Sequence, residues 1–181
     1  ESLREKGIPP IITTDGPSGI RLLTSCSLMP CGTALACTWD TELIESLFDE
    51  MGKEMVEKGS DVLLAPGMNI HRNPLCGRNF EYYSEDPVLS GEMAVSTVLG
   101  IQKNGVSACP KHFACNNQEY NRNYNNSVVS QRALREIYLK GFEICVKKAK
   151  PLNIMTSYNK INGVWSHYNY ELCTSILRNE W

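Results

Sequence analysis

Four short apolar runs punctuate this chain, at residues 8–14, 61–65, 105–109 and 152–157, the first of them rich in β-branched residues. Each reads as a strand, and turn residues close several of them: Asp15-Gly16-Pro17 after the first and Pro66-Gly67 after the second. Between them the apolar period changes from two to 3.6. Ile44, Leu47, Phe48, Met51 and Met55 predict a helix with Asp40 as N-cap, Glu42 in its first turn and Gly59 as its stop. Asp86-Pro87 opens a second helix that runs through Met93, Val98 and Leu99 to about Lys103, with Gly105 as its stop. Ser130 caps a third, with Leu134, Ile137, Tyr138, Gly141 and Cys145 on one face and Lys147, Lys148 and Lys150 near its end, before Pro151. Asn169 caps a last helix holding Leu172, Ile176 and Leu177. Residues 22–38, 116–126 and 158–166 read as loops, the second because it is so rich in asparagine.

The order is therefore β-α-β-α-β-α-β-α, which argues for a parallel sheet with crossover helices. A doubly wound sheet and a (β/α)8 barrel are the two solutions. No G-x-G-x-x-G turn follows any strand, so a Rossmann nucleotide site is not supported. Every distinctive polar cluster sits just past a strand: Asp15, then Arg78 in its loop, then Lys111-His112, then Tyr158. That is where a barrel gathers its site. Four units make half a barrel, so the chain reads as a piece of a larger domain. Open sheet edges would then favour homo-oligomers or marginal stability in isolation.

The densest cluster is C-P-K-H-F-A-C-N-N-Q-E-Y-N-R, residues 109–122. Lys111, His112, Asn116, Glu119 and Arg122 bring two cationic donors, an amide, a carboxylate and a guanidinium to one strand end, a combination suited to a polyol-binding wall. An ordinary polar loop has the same composition. Lys111 and His112 serve one site only if the strand ends there and the backbone bends, because neighbours on a strand face opposite ways. Arg78 and Glu81, or Glu119 and Arg122, could equally be local ion pairs.

Composition narrows the classes. Over 181 residues, 42% hydrophobic and 21% charged content is ordinary for a globular protein. A net charge of −2 gives no case for nucleic acid, and no run approaches the roughly 18 apolar residues of a membrane span. Eight cysteines lack any C-x-x-C pair, and three histidines lack ligand spacing, so free thiols are expected and a metal or redox centre is not. Free thiols, with no signal peptide in this stretch, point to the cytoplasm.

Taken together, T-D-G-P-S-G-I-R (14–21), G-R-N-F-E (77–81) with S-E-D-P (84–87), K-H-F-A-C-N-N-Q-E-Y-N-R (111–122) and M-T-S-Y-N-K-I-N-G (155–163) resemble the catalytic domain of glycoside hydrolase family 3, most closely its β-glucosidase branch. The resemblance covers nearly the whole chain. It implies the N-terminal part of a (β/α)8-like barrel, about four β/α units, with no cofactor and no metal. It implies a retaining β-glycosidase that hydrolyses terminal non-reducing β-D-glucosyl residues of β-glucosides or oligosaccharides. By the same resemblance Asp15 accepts hydrogen bonds from sugar hydroxyls, and Arg78, Lys111, His112 and Arg122 donate to the same glycosyl unit. Tyr158 packs near the reacting carbon, and Met155 lines the pocket.

The resemblance also says what these residues lack. Retaining hydrolysis needs two carboxyl groups about 5 Å apart. The family's nucleophile is an aspartate in an S-D-W-like motif that follows an L-R-x-E-W-like helix end, and here Leu177-Arg178-Asn179-Glu180-Trp181 closes the sequence. Nucleophile and acid/base are thus expected outside residues 1–181, on the remainder of the same polypeptide. The isolated piece is expected to be inactive. Xylosidase or arabinofuranosidase specificity stays open, as does a non-catalytic sugar-binding module using the same wall.

Overall fold

The computed structural model describes residues 3–181. Strands β1 (Thr13–Asp15), β2 (Val62–Leu64) and β3 (Ser107–Ala108) form a parallel sheet in the order β1-β2-β3, with Thr14 opposite Leu63 and Leu63 opposite Ala108. Beyond β3 the ladder continues irregularly. Cys109 N–H donates to Ala65 O and Lys111 N–H to Pro66 O, both within 2.9 Å. The fourth expected strand is a hydrogen-bonded extended segment rather than a regular one. Phe113 N–H donates to Met155 O at 2.8 Å, Ser157 N–H to Phe113 O at 2.8 Å, and Phe113 bridges Thr156 in parallel.

The first strand is shorter than the apolar pattern predicts. Residues 8–12 lie outside the sheet, with Ile11 72% exposed. Pro9 and Pro10 have no N–H to offer a ladder. Ile12 O instead receives the N–H groups of Asp61 and Val62.

The helices follow their signals closely. Helix α2 (Thr41–Lys58) is capped by Asp40, whose carboxylate accepts from Leu43 N–H at 2.9 Å, and ends on Gly59 at φ 70°, the left-handed conformation that glycine adopts without a Cβ clash. Ile44, Phe48, Met51 and Met55 are buried. Helix α3 (Pro87–Gln102) is capped by Asp86 and buried on nearly all sides, between α2 and α5 (Lys140–Ala149). Its Gly100 makes the close approach possible, since a Cβ there would sit 2.4 Å from Glu45 O in α2. No helix among the described residues is long and apolar enough to cross a membrane.

Two further expectations needed correction. The helix after Ser130 is not one regular helix: α4 (Gln131–Ala133) passes through a π-turn, Leu134–Tyr138, before α5. Leu139 N–H reaches back to Leu134 O, and the extra residue rotates the buried face. Leu139, Phe142 and Cys145 are buried, whereas Ile137 is 40% exposed. Nor are the expected loops free of structure. Within 22–38 lies α1 (Gly32–Ala36), pinned by Thr33 Oγ1 donating to Asn79 O and Tyr82 O. A small second sheet joins β4 (Asn126–Ser127) to β5 (Lys160–Ile161) in parallel, and β5 to β6 (Val164–Trp165) in antiparallel. Two- and five-residue elements are too short to leave a periodicity in the sequence.

Candidate functional site

The polar side chains converge at the C-terminal ends of the parallel segments. Asp15 closes β1 and accepts from Lys111 Nζ at 2.7 Å, while Arg21 lies 3.6 Å from its other oxygen. Lys111 itself is 2% exposed, a buried ammonium whose side-chain partner is a single carboxylate. Burial alone would raise the Asp15 pKa, but the Lys111 hydrogen bond and charge, the Arg21 charge and the Gly16 N–H outweigh it and hold it below the usual carboxylate value. Asp15 is therefore a standing anion with half of its surface still open.

His112 is equally buried and is gripped through its backbone. Its N–H donates to Asn69 Oδ1 at 2.8 Å, and its carbonyl accepts from Asn69 Nδ2 at 2.9 Å. Its ring Nδ1 lies 3.1 Å from the hydroxyl of Tyr82, a tyrosine with no exposed surface. Burial first, then the charges of Arg78, Lys111 and Arg122, push the imidazole pKa down to about 2. It is neutral at any working pH.

Arg78 is clamped to Glu81 at 2.6 Å, one turn along, with Glu81 5% exposed. Burial opposes its charge, and the nearby carboxylates Glu81 and Glu119 raise its pKa in compensation. Arg122 donates to Glu119 at 2.8 Å and stacks its guanidinium 4.8 Å over the Tyr158 ring. Glu119 in turn accepts from Asn116 Nδ2 at 2.9 Å. Met155 is half-buried and held by its backbone, with N–H to Pro110 O and its carbonyl to Phe113.

Direct contacts thus link Asp15 with Lys111, and Arg122 with Tyr158. His112 is joined to Arg122 through the Tyr82 hydroxyl, the Asn116 amide and Glu119, whereas Arg78 bonds only Glu81 among the described residues. The expected local pairs Arg78–Glu81 and Glu119–Arg122 do form, and they brace the wall. Asn69 is the residue that sequence reasoning missed. It lies beyond the Ala65-Pro66-Gly67 break with no motif around it, and its position just past a strand end was the one available signal. Tyr82 is a buried hydrogen-bond centre between Asn116 and His112.

The wall is open rather than enclosed. A cavity of about 440 Å³ lies to one side between Arg72, Asn117, Asn125, Ser127 and Tyr138, and holds none of the seven predicted residues. The convergence of charged groups locates the site better than enclosed volume does, because four strand ends form one side of a pocket and not its whole rim. The cysteines add nothing to it chemically. All eight are free, and burial pushes the Cys109 thiol up to about 11 and those of Cys115 and Cys145 up to about 12.

A family model described as "Glycosyl hydrolase family 3 N terminal domain" matches residues 1–181. The chain belongs to glycosyl hydrolase family 3. It is 52% identical to a beta-glucosidase of Ruminococcus albus, over 99% of this chain and 19% of that relative. It is 45% identical to an exo-alpha-(1->6)-L-arabinopyranosidase of Bifidobacterium longum, over 100% of this chain and 26% of that relative. Among solved structures it superposes on beta-glucosidase 3B from Thermotoga neapolitana in complex with glucose, with a TM-score of 0.98 and 53% identity, over 100% of this chain and 27% of that one. The chain spans about a fifth to a quarter of the length of the proteins it matches.

In this family 3 domain the parallel order β1-β2-β3 and the segment at 154–157 are the first part of a TIM-barrel-like α/β fold. Its wall carboxylates share one feature. Asp15 is paired to Lys111, Glu81 to Arg78 and Glu119 to Arg122. A carboxylate stabilised as an anion by a cation is a weak nucleophile and a poor acid. Each of these three orients the cation it is paired with.

Proposed function

We propose that residues 1–181 supply the glycosyl-binding wall of a retaining β-glycosidase of β-glucosidase type, acting on terminal non-reducing β-D-glucosyl groups, with nucleophile and acid/base on further residues of the same polypeptide. The observation that carries this reading is the pairing of buried Lys111 with half-open Asp15, beside neutral His112, across the ends of β1 and β3. A sugar ring presents hydroxyls that both donate and accept. Asp15 has open surface to accept them, while Lys111, His112, Arg78 and Arg122 are donors. Hydrogen bonds to ionised groups are the stronger kind, and donors that tighten as oxocarbenium character develops favour the transition state over the ground state. Met155 and Tyr158 add apolar surface at the same edge. The names of the relatives support the substrate class. The paired state of every wall carboxylate supports placing the catalytic pair elsewhere.

The arabinopyranosidase relative supports a second reading, in which the same wall takes a pentosyl group. One experiment separates the readings: hydrolysis of aryl β-glucoside, β-xyloside and α-L-arabinopyranoside by the full-length protein and by residues 1–181. Turnover of the glucoside by the long chain alone is expected. Preference for a pentoside selects the second reading, and turnover by residues 1–181 would mean that Asp15 or Glu119 is a nucleophile. Glucose binding without turnover by the full-length protein would make it a sugar-binding module. The free thiols support a reducing, cytoplasmic setting, and the exposed residues 8–12 support self-association of the isolated piece.

A further inference from the structure

The hydrogen bonds behind His112 run in one direction, and each link is decided by the one before it. Glu119 is paired with Arg122 and is an acceptor. The Asn116 side-chain atom 2.9 Å from Glu119 Oε1 is therefore its NH2, and the same nitrogen donates to Tyr82 Oη at 3.0 Å. Tyr82 Oη, already receiving that hydrogen, has its own proton to place. The acceptor within reach is His112 Nδ1, 3.1 Å away. Asn69 Oδ1, 3.4 Å from Nδ1, already accepts the His112 backbone N–H at 2.8 Å, and the other end of that amide donates to His112 O. That grip fixes the amide, so its oxygen offers Nδ1 only this longer contact, against 3.1 Å to Tyr82 Oη. Nδ1 is thus an acceptor, and the single proton of the neutral ring sits on Nε2. The unpartnered side-chain polar atoms sealed from solvent among the described residues are Asn79 Oδ1, Asn116 Oδ1, Asn117 Oδ1 and Asn159 Oδ1. His112 Nε2 has no hydrogen-bond partner among the described residues and is not one of them, so it keeps some exposed surface.

We propose that Tyr82, oriented through Asn116 by the Glu119–Arg122 pair, is a positioning residue that holds His112 in the Nε2–H tautomer and so makes it a hydrogen-bond donor to the sugar. Its last step, donation to a glycosyl hydroxyl, rests on the function proposed above; the tautomer itself does not. Tyr82 touches no substrate. The relay costs one sealed acceptor, Asn116 Oδ1, which is left without a partner because its nitrogen is claimed twice. A neutral imidazole free to choose would present an acceptor in part of the population and so bind a donor-seeking oxygen less well.

The test uses full-length protein labelled with ¹⁵N-histidine, with the His112 signals assigned by their loss in His112→Gln. Ring-nitrogen shifts at neutral pH in the absence of sugar are expected to report Nε2–H alone. An Nδ1–H or mixed spectrum would overturn the relay at once, with no variant needed. Tyr82→Phe removes only the hydroxyl and is expected to let the Nδ1–H form, facing Asn69, become populated, with glucose affinity falling about threefold to tenfold. Glu119→Gln, at the outer end of the relay, frees the Asn116 amide and is expected to give a smaller shift of the same kind, read from the ring-nitrogen signals alone because the change also loosens Arg122. An unchanged tautomer in both variants would remove Tyr82 from the role. A changed tautomer with unchanged glucose affinity would instead leave the relay standing and overturn donation by His112 to the sugar, and with it that part of the proposed function.

Discussion

The two ends of the K-H-F-A-C-N-N-Q-E-Y-N-R motif are built on different terms. At its start, Lys111 and His112 are each 2% exposed, bound to partners far away in sequence, and beyond the reach of solvent screening. At its end, Arg122 stands at the rim, stacked over Tyr158, which is 52% exposed, and paired with Glu119 three residues back. Both ends offer donors of similar formal strength. The difference lies in the surroundings: a charge in a dry site interacts strongly and cannot relax when its partner is removed, whereas a rim charge is replaced by water at little cost.

That contrast makes Lys111→Met the substitution with the largest expected effect. It should lower kcat/KM for an aryl β-glucoside in the full-length protein by about 10²–10³, because a buried charge-assisted donor is lost and Asp15 is left without its main partner. Equal losses for Lys111→Met and Arg122→Ala would abolish the distinction. Next in size, Gly100→Ala should cost about 2–3 kcal/mol in denaturant unfolding by forcing α2 and α3 apart. It should leave the glucose affinity of the folded protein unchanged, since the wall is on the strand ends and not in that helix crossing.

Proton linkage sharpens the buried end further. The His112 pKa is about 2 in the fold against 6.5 for the free side chain, so the unfolded chain binds the extra proton between those values. Its contribution to stability is present above about pH 6.5 and declines as the pH falls toward 2. Between pH 6.5 and 5 this amounts to about 2 kcal/mol. His112→Gln should flatten the stability profile by that amount over the interval, measured as the difference from wild type in paired urea titrations. Asp15, also lowered, adds loss in the same direction but only as the pH drops below its ordinary value of 3.8. The smallest effect belongs to the rim, where Arg122→Ala should reduce kcat/KM about fivefold and lose part of that effect at high salt.

Much of this was legible in the chain. Asp40, Asp86 and Ser130 cap where the spacing placed them, and each cap is a local event in which a side chain meets an N–H two or three residues on. The alternation of strands and helices and the clustering of polar residues after strands were equally local. What escaped was set by distance. Residues 8–12 look like strand in composition, yet no ladder reaches them. Ile137 fits the helical stripe until the π-turn moves it outward. Asn69 and the two-residue strands carry no pattern at all.

By itself the sequence determined the inventory and its order: which elements form, where they are capped, and which donors and acceptors stand at the strand ends. Only the tertiary structure decided how those groups are paired. Asp15 and Lys111 are 96 residues apart, Asn69 and His112 43, and Tyr82 and His112 30. Strand register brings them within hydrogen-bond distance, and burial then makes each pairing obligatory, because a polar group removed from water must find its partner within the fold.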